Sequence, residues 1–124
     1  MNYQIGDFLI RIKNAVLSNK AGVEVLKTKQ NLAIAQALKR AGFIQEIKQN
    51  KDILEVVLAK KNKKSVLLNL KLVSKPGLRI YTSVEEITSR KKPSLLLVST
   101  PKGILTSKEA VKENVGGEVI TEII

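Results

Sequence analysis

Leu95-Leu96-Leu97-Val98 runs into Ser99-Thr100-Pro101-Lys102-Gly103-Ile104-Leu105-Thr106, and Glu109 stands three residues beyond Thr106. Four consecutive apolar residues bounded by turn chemistry read as a short buried strand. The Thr-x-x-Glu spacing of Thr106 and Glu109 is a capping box, so a helix is expected from there to about Asn114. Between strand and helix lies a polar loop with three hydroxyls, a lysine and a glycine. Ser99 and Thr100 offer hydroxyls, Pro101 fixes one φ, and Gly103 lets backbone approach a ligand closely. Gly116-Gly117 is expected to end the helix, and Glu118–Ile124 reads as the last strand.

Working back toward the N-terminus, Ser83–Ile87 suits a short helical turn and Leu78–Thr82 a strand. Lys75-Pro76-Gly77 is a turn, because Pro presets φ and Gly accepts φ > 0. Val66, Leu68, Leu70 and Leu72 alternate with Leu67, Asn69, Lys71 and Val73, which is a strand period. The run Lys60-Lys61-Asn62-Lys63-Lys64 is the natural boundary before this β-rich half. Ahead of it, Ile5, Leu9, Ile12 and Val16 form a helical stripe with Phe8 and Ala15 beside them. Asp7, Arg11, Asn14 and Ser18 form the polar stripe of the same helix. Gly22 follows it, and Val23–Lys27 reads as a strand. Thr28 can cap a second helix that buries Ile34, Leu38 and Ala41 and stops at Gly42. Phe43–Lys48 and Ile53–Ala59 flank a polar turn and read as a hairpin. The expected fold class is α+β with two small domains. Residues 1–64 are the α/β one (helix, strand, helix, strand, strand), and residues 65–124 are mainly β with one or two short helices.

The 124 residues include 22 Lys plus Arg against 11 Asp plus Glu, a formal net charge of +11. With 44% hydrophobic residues this is a folding chain and not a basic tail. The excess is uneven: residues 1–64 hold thirteen basic and five acidic side chains, residues 65–124 nine and six. A folded, strongly basic small protein is made for polyanions. Its only aromatics are Tyr3, Phe8, Phe43 and Tyr81. Single-strand binders stack bases on several exposed rings, so helical RNA or DNA is the better match. Cys and His are both absent, which excludes disulfides, thiol nucleophiles, Cys- or His-based metal sites and His-dependent catalysis. No apolar run approaches the length of a membrane span, and the first residues lack a signal-peptide pattern.

Ser99-x-x-Lys102 has the form of the Ser-Lys pair of penicillin-recognising enzymes, but those enzymes need a far larger domain and further motifs. The carboxylates are scattered and show no pairing suited to hydrolysis or metal binding. A plain turn leading into a capped helix is the bland reading of residues 99–106. With this charge, a loop that meets RNA backbone and groove edges is favoured.

Taken in order, four segments resemble the bacterial-type ribosomal protein S8 family of the small ribosomal subunit. Asp7-Phe8-Leu9-Ile10-Arg11-Ile12-Lys13-Asn14-Ala15 is similar to its first-helix motif. Val73-Ser74-Lys75-Pro76-Gly77-Leu78-Arg79-Ile80-Tyr81 is similar to its central motif. Ser99–Thr106 resembles its RNA-binding loop, with Pro101 where Ser is common, and Gly116-Gly117-Glu118-Val119 its closing motif. Arg90-Lys91-Lys92-Pro93-Ser94 stands where the family has a Gly-containing turn, so this is a divergent member. The resemblance implies a structural, non-enzymatic protein that needs no cofactor. It implies direct binding to an irregular stem in the central domain of the small-subunit rRNA, with help in organising the platform. In some bacteria it implies repression of a ribosomal-protein message carrying a similar stem. Ser99, Thr100, Lys102 and Gly103 map to the main RNA-contacting loop, Tyr81 and Glu118 lie nearby, and Arg11, Lys13 and Asn14 map to the first-helix contact. Lys75 of the central motif, Thr106 of the loop motif and Lys29 beside the second helix complete the candidate set. Expected partners are that rRNA stem and neighbouring small-subunit ribosomal proteins, with no membrane and no small-molecule substrate. The expected location is cytoplasmic and ribosome-bound, or an organellar ribosome. The competing readings are a general basic nucleic-acid binder and a small Ser-Lys hydrolase.

Overall fold

The computed structural model describes residues 3–61, 64–65, 69–74, 77–90 and 94–123. Helix α1 (Tyr3–Leu17) buries Phe8, Leu9, Ile12 and Ala15 along the stripe that the spacing predicts; the side chain of Ile5 lies outside the described residues. Strand β1 (Gly22–Leu26) alternates, with Val23 and Val25 buried. Helix α2 (Lys29–Arg40) starts at Thr28, whose side chain accepts the Asn31 N–H at 3.0 Å. It stops where Gly42 takes φ +90. Strands β2 (Ile44–Gln49) and β3 (Ile53–Leu58) form the expected hairpin, and β3 sits between β1 and β2 in an antiparallel sheet. The helices cover the face carrying Leu54, Val56 and Leu58.

The Lys-rich run makes a minimal ladder, β4 (Lys60–Lys61) against β5 (Lys64–Ser65); Asn62 and Lys63 lie outside the described residues. Of the alternating segment, β6 (Leu70–Leu72) is strand, and Val66, Leu67 and Leu68 lie outside the described residues. So do Lys75, Pro76, Lys91, Lys92, Pro93 and Ile124, while Gly77 has the expected positive φ of 85.

Leu78–Thr82 is not a full strand. Within it, β7 (Tyr81–Thr82) pairs with the last strand of the chain, and the Ile80 carbonyl accepts the Val119 N–H of that strand at 2.8 Å. The reason β7 starts late is Ser74, which is fully buried: its hydroxyl accepts the Ile80 N–H at 3.0 Å and donates to the Ile80 carbonyl at 3.3 Å. A side chain thereby ties Ser74 to Ile80 and takes a donor that a strand would use. Helix α3 (Val84–Ser89) follows, capped by Ser83.

Strand β8 (Leu95–Thr100) explains the continuous apolar run. Leu97 faces the main core with Leu70, Ile120 and Ile123, while Leu96 and Val98 face a second cluster with Val119 and Val73. Both faces of β8 are covered, so its residues need not alternate with polar ones. Residues expected as loop are strand β9 (Gly103–Thr106), paired antiparallel to β8. Helix α4 (Ser107–Lys112) has the complete capping box of Thr106 and Glu109. It ends at Asn114, whose φ of 57 makes the left-handed stop assigned above to Gly116-Gly117. Strand β10 (Gly117–Ile123) pairs with β8 on one side and with β6 and β7 on the other. The two glycines answer to a different constraint: a Cβ at Gly116 would strike the Thr82 carbonyl, and one at Gly117 the Ser99 carbonyl.

One apolar cluster joins α1, α2 and the first sheet to Leu70, Leu97, Ile120 and Ile123 of the second. Gly117→Ala should push β10 off β8 and cost about 1–3 kcal/mol of folding free energy, read by urea denaturation. A Cβ at Gly77 meets nothing within 4 Å among the described residues, so Gly77→Ala should carry chiefly the backbone penalty of its positive φ.

Candidate nucleic-acid interface

Register brings together residues far apart in sequence. Glu118 of β10 is paired with Ser99 of β8 on one side and with Tyr81 of β7 on the other. Ser99 is in turn opposite Ile104, and Thr100 opposite Gly103. Tyr81, Glu118 and Ser99 thus form one row across three strands, at the end of the sheet that carries the β8–β9 turn. Tyr81 is 66% exposed, an unusual state for a large ring. Arg79 donates to Glu118 at 3.3 Å and holds this carboxylate at the row. Arg79 escaped the candidate set, although it lies inside the central motif; only the register reveals that it reaches the row.

The turn itself is Pro101-Lys102. The Thr100 hydroxyl donates to the Gly103 carbonyl at 2.8 Å and accepts the Lys102 N–H at 3.1 Å. Gly103 has φ +112, a conformation that residues with a Cβ rarely adopt. Pro101 presets its own φ and has no N–H to leave unpaired. The sequence gives Thr100 the role of a hydroxyl offered to a ligand. In the structure its proton is engaged within the turn, and its first effect is to fix the turn's shape. Lys102 projects from the turn, with its ammonium 3.3 Å from a Glu113 carboxylate oxygen.

Thr106 is buried, and its hydroxyl accepts the Glu109 N–H at 3.2 Å as the cap of α4. Its side chain is a structural element beneath the hairpin, not part of the exposed surface. Arg11 lies on α1, bonded to Asp7 at 3.1 Å and to the Glu24 carbonyl at 3.1 Å, which ties the helix to β1. Asn14 is exposed one turn further on and Lys13 half-buried. Lys29 is exposed in the first turn of α2. These residues belong to elements other than the row and the hairpin, so the candidates fall into two groups. Lys75 lies outside the described residues.

A sequence model of the family described as Ribosomal protein S8 matches residues 3–124. The chain belongs to the ribosomal protein S8 family. It is similar to the small ribosomal subunit protein uS8 of Roseiflexus castenholzii, 42% identical, covering 97% of this chain and 96% of that one. The uS8 of Enterococcus faecalis is 39% identical over 99% of this chain and 98% of its own. The protein uS8c of Tetradesmus obliquus is 40% identical over the same shares. The S8 family match spans both candidate groups, the helix α1 residues and the row with its hairpin.

Glu109 has its carboxyl held below the ordinary value, chiefly by the hydrogen bond from Arg40 and against an opposing effect of burial, with the Thr106 N–H adding to the lowering. Ionised Glu109 therefore contributes stability that is fully present above the ordinary carboxylate value. That contribution is lost as the pH falls through the lowered one. The stability gap between the native chain and Glu109→Gln should be constant near neutrality and close in acid, seen in melts from about pH 7 down to about pH 3. Thr100→Ala should speed exchange of the Lys102 amide while lowering global stability by only about 1 kcal/mol.

Proposed function

We propose that this chain recognises a helical stem in the central domain of the small-subunit rRNA through the β8–β9 hairpin and the row Tyr81, Glu118 and Ser99. As a member of the S8 family it is an rRNA-binding structural protein of the small ribosomal subunit, and not an enzyme. The observation that carries the finer reading is the rigid, cation-bearing turn set directly beside a cross-strand row in which an exposed Tyr81 stands next to the half-buried Glu118 and Ser99. A-form RNA hides its base edges in a deep, narrow major groove. A protein that reads it needs short groups at fixed positions against the shallow groove and an irregular loop. Gly103 gives close backbone approach, Ser99 a hydroxyl, Tyr81 a ring for an unstacked base, and Lys102 a cation for a phosphate. Glu118, held by Arg79, sets a negative charge within the row, so it supports selectivity rather than general polyanion affinity.

Arg11, Lys13, Asn14 and Lys29 supply a second line of backbone contact, and Lys75 of the central motif is a further proposed contact. We propose the boundary between the α/β and the β-rich domain between residues 64 and 65, at the end of the Lys-rich run. Early binding to the stem would help organise the platform, and a ribosomal-protein message carrying a similar stem would compete for the same surface.

The direct test is sedimentation: the protein should co-migrate with small subunits after a high-salt wash and prefer the rRNA stem over heparin or duplex DNA. Equal affinity for all three would leave only a general basic binder. If roughly six phosphates are neutralised, the log–log salt slope should be about −4 to −5, and Lys102→Ala should flatten it by about one unit. No side chain has an unperturbed pKa between about 5 and 8, so affinity measured from about pH 6 to 8 should stay nearly flat.

A further inference from the structure

Arg40 lies at the end of α2, and no part of the hairpin is near it in sequence. Its guanidinium nevertheless donates through Nε to Glu109 Oε2 at 2.8 Å, and through NH2 to Glu109 Oε1 at 3.3 Å and to the Ile104 carbonyl at 3.1 Å. One planar fork thus grips two points at once. The first is Glu109, whose other contacts complete the capping box that joins β9 to α4. The second is the backbone of Ile104, which is paired with Ser99 and follows Gly103 directly. Beside this link lies a groove of about 630 Å³, lined among others by Phe43, Leu95, Thr106 and Ile123. Apolar packing therefore does not fill the space between the α2 end and the root of the hairpin. The polar fork spans it.

We infer that Arg40 is a positioning residue for RNA binding: it fixes the root of the β8–β9 hairpin to the N-terminal helices without touching RNA. The inference rests on the hairpin being the recognition element. Its physical content is preorganisation. A turn held at both ends loses less freedom when it docks, and the affinity it gives depends on that restraint. Salt screening weakens an exposed pair, but this fork also holds a backbone carbonyl, which a point charge would not do in the same geometry.

The test is a set of variants read by affinity for the isolated rRNA stem, salt slope, thermal melting and amide exchange. Glu109→Gln is the sharpest, because Gln keeps the capping box and removes a negative charge. Electrostatics alone predicts equal or tighter RNA binding. Positioning predicts binding weaker by about threefold to tenfold, with faster exchange at Ile104 and Lys102. Arg40→Ala should weaken binding by a similar factor with the salt slope unchanged. The double variant should be no worse than Arg40→Ala alone. Arg40→Lys keeps the charge and should rescue only part of the loss. A salt slope flattened by about one unit in Arg40→Ala would make Arg40 a phosphate contact and overturn the proposal. So would native or tighter binding by Glu109→Gln. Lys102→Ala and Thr100→Ala test the underlying reading separately. If both bind normally, the hairpin is not the recognition element and the role of Arg40 falls with it. If both bind weakly while Glu109→Gln does not, only the positioning role fails.

Discussion

The Ser99 carbonyl occupies the space that any side chain at position 117 would need. Because residue 117 is glycine, β10 can lie close against β8, and the pairing of Glu118 with Ser99 follows from that contact. The same strand accepts β7 on its other side, which brings Tyr81 to Glu118. A shift of β10 by one residue in this register would turn Glu118 to the face of the sheet opposite Ser99 and Tyr81. Three residues that the chain separates by up to 37 positions would then no longer form one surface. The turn at Pro101-Lys102 depends on the same ladder, since its shape is set where β8 and β9 close at Thr100 and Gly103.

Against that frame the carboxylates acquire local jobs. In a chain of net charge +11, each anion could simply be screened by the surrounding cations. Instead Asp7, Glu109, Glu113, Glu118 and Glu122 each meet a particular Arg or Lys. Exposed pairs of this kind add little stability. Their use here is geometric: they aim Arg11, Arg79 and Lys102, and they bind Arg40 to the hairpin root. The cations at the row and the hairpin are thereby held in place, while the net positive excess supplies long-range attraction to phosphate.

Much of this was legible in the residues. The apolar stripe of α1, the Thr28 cap, Gly42, and the Thr106–Glu109 box are local patterns with local physical causes. They require nothing from the rest of the chain. Strand β9 was not legible, because its four residues also begin a cap and carry turn chemistry, so the short apolar pair Ile104-Leu105 gives no period. The late start of β7 depends on one buried hydroxyl, Ser74, finding Ile80. The role of the double glycine depends on which carbonyl lies opposite, and Asn114 could take over the helix stop because Asn tolerates the left-handed region. At the site, motif position selected Ser99, Thr100, Lys102 and Gly103. It could not tell that the Thr100 hydroxyl is engaged, that Thr106 is buried, or that Arg79 and Arg40 reach this end of the molecule. Those facts are contacts across 3 to 69 positions of chain, and sequence spacing does not encode them.

The central claim is that the row and the hairpin form the RNA surface as a single preformed unit. Backbone NMR of the intact protein, free and with the isolated rRNA stem, tests this most directly. The account predicts that the amides of Tyr81, Ser99 to Gly103 (Pro101 apart), Gly117 and Glu118 shift together on binding, with the β8–β9 and β8–β10 pairing already intact in the free protein. Shifts confined to the exposed face of the β1–β3–β2 sheet, or a hairpin that gains its pairing only when RNA is added, would contradict it.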